Sequence, residues 1–245
     1  MRPAELAKMF DLEDTYWWFV ARRELVRDFL ARCCRAKHNP LILDVGCGTG
    51  ATLKAVADLG MAVGLDRSPE ALHYCQIRGL RRLSLATAEA LPVASQSVDA
   101  LLALDLLEHL PDDAAAAREF ARVLRPGGIL LVTVPACPEL WSEHDEALDH
   151  LRRYRASRLR RILLTAGLRL ERLSPLITAL LVPITGLRLI QRILPRKRSV
   201  PRTAFIVPPR PINWLLTELL RLERRWLSRF TLPIGVSLMA LARKP

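Results

Sequence analysis

Along the chain, short apolar runs alternate with stretches in which apolar residues recur every three or four positions, the pattern of strands interleaved with helices. Residues 5 to 35 carry the helical period, with Leu25, Phe29 and Leu30 on one face, interrupted by the aromatic cluster Tyr16-Trp17-Trp18-Phe19. Leu41 to Val45 reads as a buried parallel strand and is followed by a helical pattern from Thr52 to Leu59. Ala62 to Asp66 is a second strand, Ile129 to Val134 a fifth, Arg169 to Leu173 a sixth and Val236 to Ala242 the last. Leu124-Arg-Pro-Gly-Gly128 ends a helix, because Pro and Gly cannot continue one. Alternation sustained from 41 to 173 predicts a doubly wound α/β sheet. Three segments follow: an N-terminal helical cap (1–38), a core (39–173 and 236–245), and an insert (174–235) with a helix around Trp214 to Phe230 and a Pro-rich stretch from Pro195 to Pro211. An insert of roughly 60 residues is long for a structureless connection and reads as a substrate lid or a membrane contact.

The turn after the first strand carries the first chemical signal. Gly46, Gly48 and Gly50 stand at alternate positions around Cys47, with Asp44 two residues ahead. Glycine is needed where backbone turns sharply and approaches a ligand, and a strand–turn–helix aims helix N–H groups into the crevice. Asp66 ends the next strand about 20 residues after Gly46, the spacing at which an acid meets ribose hydroxyls. An adenosine-containing ligand is therefore expected. Dinucleotide sites place the third glycine three residues after the second; here the spacing is G-x-G-x-G.

That Asp-x-Gly-x-Gly-x-Gly loop is followed by Glu89-Ala-Leu-Pro92, Ser97-Val-Asp99, Leu104-Asp-Leu-Leu-Glu-His-Leu110 and Arg122-Val-Leu-Arg-Pro-Gly-Gly128. In order and spacing the set resembles the class I S-adenosylmethionine-dependent methyltransferases, most closely the branch that includes ubiquinone/menaquinone-biosynthesis methyltransferases. The resemblance implies a Rossmann-like seven-stranded sheet and S-adenosylmethionine as cofactor. It implies a cofactor site formed by Asp44, Gly46, Cys47, Gly48, Gly50, Asp66 with Arg67, Thr87, Ala88, Glu89, Asp105 and Leu106. Asp66 would bind the ribose, and Asp105 and Leu106 would flank the methionine moiety. The family's Asp-Ala pair at the adenine edge is Thr87-Ala88 here, so that contact has to come from the Ala88 backbone, Thr87, Glu89 or water. A segment ahead of the first strand often folds over the cofactor in this superfamily. Trp17 and Trp18 would then shield the acceptor, and Arg22 and Arg23 could meet the cofactor's carboxylate. A core role for the aromatic cluster is the other reading.

Charge changes the picture because it is uneven. The 245 residues carry a net +12, and the segment from Ser174 to Gly235 holds eleven Arg or Lys against two acids. Beside Arg188, Arg192 and Arg196-Lys-Arg198 lies the apolar run Leu176 to Leu187, broken by Pro183 and too short to cross a bilayer. Apolar surface next to a cationic cluster suits an anionic membrane face. A basic solvated insert packed on the sheet and a nucleic-acid surface are the alternatives, the latter opposed by sparse aromatic residues and the lack of an RNA-binding motif. The N-terminus lacks a signal-peptide core, which points to a cytoplasmic protein, peripheral at the inner membrane face. The five cysteines form neither a C-x-x-C pair nor a Cys/His metal spacing, so reduced structural thiols and no metal are expected.

After the fifth strand, residues 141–154 concentrate His144, Asp145, His150, Arg152, Arg153 and Tyr154 at the expected mouth of the pocket. Methyl transfer to a hydroxyl benefits from a general base of suitable pKa. His144 and His150 are the candidate bases, with Asp145 orienting them. Arg152, Arg153 and Tyr154 could grip an anionic group on a small or lipid-linked acceptor, or close the site as a salt-bridge network. His109 reads as a packing residue. The expected activity is methyl transfer to oxygen. RNA methylation and a catalytically silent cofactor-binding protein docked on a membrane complex are the alternatives.

Overall fold

The computed structural model describes residues 3–35, 37–186 and 207–245. Strands β1 (Leu41–Val45), β2 (Met61–Asp66), β3 (Leu83–Leu85), β4 (Val98–Leu104), β5 (Leu124–Pro135), β6 (Arg169–Leu176) and β7 (Ser237–Arg243) form one sheet in the order β3-β2-β1-β4-β5-β7-β6. β7 runs antiparallel between β5 and β6, and every other pairing is parallel. Helices α1 (Pro3–Leu12) and α2 (Trp17–Cys33) precede the sheet. α3 (Ala51–Val56), α4 (Pro69–Ile77), α5 (Asp113–Val123), α6 (Glu143–Ala147), α7 (Ala156–Thr165) and α8 (Arg210–Leu227) follow in chain order.

β1 and β4 are apolar almost throughout because helices cover both faces of the sheet. One core layer packs Phe120, Leu130 and Leu163 on one side, and the other packs Leu30, Ile42, Leu53 and Met239. Local chemistry starts the helices. The Ser68 side chain accepts from the Ala71 N–H ahead of Pro69, and Asp112 accepts from the Ala115 N–H.

The doubly wound seven-stranded sheet and the N-terminal helices are as the sequence implies. The break in the helical segment falls just before Trp17, so Trp17, Trp18 and Phe19 form the first turn of α2 rather than interrupting it. The strand expected at Ile129 begins five residues earlier. The Arg-Pro-Gly-Gly segment leaves α5 directly into β5, with Gly127 at φ +76° and a register shift between Val98 and Ala100. The cationic cluster of Arg188, Arg192 and Arg196 to Arg198, and most of the Pro195–Pro211 stretch, lie outside the described residues. Among the described residues no helix is long and apolar enough to cross a membrane.

α8 lies on α2. Arg221 holds Glu24 through two nitrogens, at 3.0 and 2.6 Å, and Arg224 reaches the same carboxylate at 3.0 Å. At the other end Asn213 bridges the turn before α2: its Oδ1 accepts from the Trp17 N–H (3.0 Å) and its Nδ2 donates to the Thr15 carbonyl (2.8 Å).

Candidate functional site

The chain reverses its order across the sheet between β1 and β4, the switch point where ligands bind in open α/β sheets. A cavity of about 420 Å³ opens there, over the carboxyl ends of β1, β2 and β4, within the size range of small-molecule sites. Its floor is strand ends and loops. Its roof is Met9, Glu13, Trp17, Trp18 and Arg22 from α1 and α2, with Ile177 and Ile184 from the insert.

The glycine turn is fixed by close packing. Gly46 has φ +72°, and a Cβ there would stand 2.8 Å from Leu106 Cδ1. Gly50 has φ +85°, and its Cβ would meet Leu80 Cδ1 at 2.6 Å and Cys75 Sγ at 2.8 Å. Gly50 does not line the cavity. It precedes α3 and serves the turn, so its expected contact with a ligand is replaced by a packing role. The two carboxylate oxygens of Asp66 accept the N–H groups of Gly48 and Ser68, each at 2.9 Å, which fastens the β1 turn to the end of β2. Cys47 lines the cavity with its sulfur 3.9 Å from that of Cys75. The contact with Cys75 and burial push its thiol up, so Cys47 is a neutral wall atom rather than a nucleophile. Arg67, Thr87, Ala88 and Glu89 line the far wall.

Four carboxyl groups surround one guanidinium. Arg22 pairs with Asp105, and its charge also acts on Glu13, Asp44 and Glu108. Its Nε is buried without a hydrogen-bond partner. Burial pushes the Asp44 carboxyl up to about 7. Glu108 is fully buried with neither carboxylate oxygen hydrogen-bonded, and burial followed by the charge of Asp105 raises it well above the usual range. Asp105 itself sits at φ +52°, with Thr133 donating from Oγ1 to its carboxylate at 3.0 Å. Arg23, in contrast, turns away and donates to the Glu13 carbonyl.

The segment after β5 divides the remaining sequence candidates. His144, Asp145, His150 and Arg153 reach the cavity. Asp145 closes a capping box with Ser142 through Oδ2, and its Oδ1 faces His150 Nδ1 at 3.1 Å and Arg153 Nη1 at 2.9 Å. Burial opposes its charge, but the hydrogen bond from His150 and the Arg153 charge bring it down to about 2. Arg153 also donates from Nε to the Ala136 carbonyl (2.7 Å) and from Nη2 to the Val236 carbonyl (3.1 Å), which fixes it against Asp145 at the cavity wall.

Arg152 and Tyr154 are not at the cavity. Arg152 reaches Asp113 and the Pro111 carbonyl. Tyr154 is completely buried, donating to Asp113 Oδ2 (2.7 Å) and lying 3.0 Å from the Leu107 carbonyl. An acceptor-contacting role for either is replaced by a structural one, because both are spent on anchoring α5 to the loop. His109, expected as packing, packs edge-on against His150 at the cavity wall, ring centroids 4.8 Å apart. Burial, then the neighbouring His150, lowers it to about 4, so its imidazole is neutral.

Sequence reasoning missed Met9 of α1, Glu13 just after it, Ser68, and above all Glu108. The acid-histidine pair following β4 carried a signal, a carboxyl flanked by leucines in a segment bound for the interior. Linear spacing showed no metal ligands, but the fold brings Glu108 and His109 to His150, one ligand atom from each lying within 4.8 Å of the others.

Residues 43–132 match the family model described as "Methyltransferase domain". A Mycolicibacterium smegmatis protein named "Probable S-adenosylmethionine-dependent methyltransferase" is 34% identical over 166 residues, 65% of this chain and 62% of that one. The ubiquinone biosynthesis O-methyltransferase of Alkalilimnicola ehrlichii is 34% identical over 139 residues, 51% of this chain and 56% of its own length. The chain thus spans about three-fifths of the curated relatives it matches. In shape it resembles the methyltransferase-type chain from a complex with the Haloferax volcanii Trm112 methyltransferase activator, with TM-score 0.63, 21% identity, and coverage of 99% of this chain and 95% of that one; this likeness speaks for the fold. Over residues 43–132 the chain carries a methyltransferase domain, and with its glycine turn, the acid ending β2 and the seven-stranded switch-point sheet it resembles the class I S-adenosylmethionine-dependent methyltransferases.

Proposed function

We propose that this protein transfers a methyl group from S-adenosylmethionine to an oxygen of a small or lipid-linked acceptor. One observation carries the reading: a single cavity joins the Gly46–Gly48 turn, Asp66 and Arg22 to the Asp145–His150 pair. The residues fit the cofactor. Asp66 spends one lone pair of each oxygen on backbone and keeps the others for a ribose diol. The orphaned Nε of Arg22 fits a carboxylate, and the acids Asp44, Asp105 and Glu108 fit cationic groups. The bound cofactor supplies an electrophilic methyl on a sulfonium.

The chain's own work is alignment, dehydration and proton removal. Trp17, Trp18 and Phe19 cover the cavity against water. His150, with Nδ1 turned to Asp145, presents Nε2 to take the acceptor's proton, and an Asp145 charged at neutral pH stabilises the imidazolium. His144 stands at the same wall as the second candidate base. The similarity to ubiquinone biosynthesis O-methyltransferases supports oxygen as the methylated atom.

Calorimetric titration with S-adenosylmethionine and its demethylated product tests the cofactor site, and the absence of binding sinks the reading. Once an acceptor is in hand, His150→Gln should lower turnover by about 10²–10⁴-fold while cofactor affinity holds. Unchanged turnover in both His150→Gln and His144→Gln removes the base, and binding without any turnover leaves a silent cofactor-binding protein.

A lipid-linked acceptor is favoured by α8. Its inner face clamps the cap, and its outer face exposes Trp214, Leu215, Leu222 and Trp226, with Phe230 just beyond, among exposed Arg225 and Arg229. Apolar and aromatic surface beside arginine suits an anionic lipid interface. Co-sedimentation with anionic vesicles at physiological salt is the expected outcome. Retention on RNA instead, under the same salt, favours the RNA-modifying alternative.

A further inference from the structure

We propose that Glu108, His109 and His150 bind a divalent transition-metal ion of the zinc class on the wall of the cofactor cavity. Two imidazoles and a carboxylate are a ligand set that holds such ions while leaving coordination positions open, and one ligand atom from each lies within 4.8 Å of the others.

The surroundings supply what a coordinating histidine needs. A ligating imidazole turns its second nitrogen to a carboxylate or a carbonyl, which fixes the ring and leaves the other nitrogen's lone pair for the ion. His150 meets this through Nδ1 and Asp145 Oδ1 at 3.1 Å, and His109 through Nδ1 and the Asp149 carbonyl at 3.4 Å. With both Nδ1 atoms so engaged, Nε2 would be the ligating atom in each ring. Arg153 and the Ser142 capping box in turn fix Asp145.

Glu108 provides the independent observation. It is wholly buried, it lines the cavity, and neither of its oxygens has a hydrogen-bond partner. A buried carboxyl group holds a charge only when something compensates it, and a dication beside the two imidazoles would do so. Asp105 and Asp145 add negative charge nearby. An ion with bonds of about 2.1 Å spaces tetrahedral ligands by roughly 3.4 Å, so the ligand atoms would close by up to about 1.4 Å on binding.

All three residues line the cavity in which the acceptor is proposed to bind, so an ion held there would be open to it. This role rests on that proposal, whereas binding of the ion does not. A hydroxyl coordinated there would give up its proton more readily, with His144 at the same wall to take it, and in that state His150 would be a ligand rather than the proton acceptor.

The test is titration of the untagged, chelator-stripped full chain with Zn²⁺ and with Co²⁺, without cofactor or acceptor. One ion per chain is expected. The Co²⁺ adduct should show a visible d–d spectrum without a thiolate charge-transfer band, and Zn²⁺ should raise the thermal midpoint. Glu108→Gln, His109→Gln and His150→Gln should each weaken affinity by tenfold or more, and Asp145→Asn by about 10–100-fold. Glu108→Gln removes an uncompensated buried acid, so it should fold at least as well as the parent and report on binding alone. Failure of Zn²⁺ and Co²⁺ to bind, a thiolate band pointing to Cys47 and Cys75, or affinity equal to the parent's in all three ligand variants overturns the site. A failed cofactor titration, by comparison, overturns only the proposed function.

Discussion

Arg22 of α2 is ion-paired with Asp105, the residue that follows β4 in a left-handed backbone conformation, and this pair bolts the N-terminal cap over the cavity. The guanidinium lies 5.7 Å from the rings of both Trp18 and Phe19, so charge and aromatic roof are placed by one side chain. Arg22→Ala leaves Asp105 without its ion-pair partner and removes a positive charge that acts on Asp44 and Glu108. Cofactor affinity is expected to fall by tenfold or more and stability by roughly 1–3 kcal/mol, with Arg22→Lys recovering part of the stability but little of the affinity. Calorimetry and urea unfolding of the two variants check this; an Arg22→Ala protein that binds the cofactor normally refutes it.

Asp44 gives the protein a pH signature. Its carboxyl is pushed up to about 7 by burial, against about 3.9 for an unfolded Asp, so between these values the folded chain binds more protons than the unfolded one. Stability therefore declines as pH rises through that window, and the destabilisation is complete above about 7. Asp44→Asn should flatten the dependence, raising stability at pH 8 by on the order of a few kcal/mol and the thermal midpoint with it, while leaving both nearly unchanged at pH 4. Parallel midpoint-against-pH curves for parent and variant would contradict the assignment.

Tyr154 separates structure from catalysis within one motif. Its hydroxyl joins Asp113 and lies against the Leu107 carbonyl well inside the core. Tyr154→Phe leaves those partners short of a donor and should cost about 1–3 kcal/mol in chemical denaturation. The KM for an acceptor should stay within twofold. A large KM effect with unchanged stability would return the residue to the site.

Gly50 is a steric test of the turn. Alanine there has to hold φ +85°, at about 1–2 kcal/mol, and drives its Cβ into Cys75 and Leu80. Gly50→Ala is expected to lower the denaturation midpoint markedly. Gly127→Ala, at φ +76° but with nothing near its added carbon, should show the backbone strain alone. Equal losses at the two positions would mean the packing around Gly50 contributes nothing.

The readings that came from the sequence rest on short-range physics. β1 was legible to the residue because an apolar run ending in glycine has few alternatives, and Asp66 was legible because strand, turn and helix lengths fix its spacing from Gly46. The Asp145–His150 pair is five residues long and was visible for the same reason. Tyr154 and Arg152 were misplaced because residues adjacent in an irregular segment point in different directions, and only the anchoring of α5 decided which faced inward.

By itself, the amino-acid order determined the sheet, the glycine turn and the acid at the end of β2, because periodicity, φ preference and capping act within a few residues. Tertiary structure decided that Arg22 meets Asp105, that Asn213 ties α8 to the cap, and that Glu108 lies orphaned beside His109 and His150. Those relationships join segments far apart in the chain, and only the packing of helices on both faces of one sheet brings them within reach of each other.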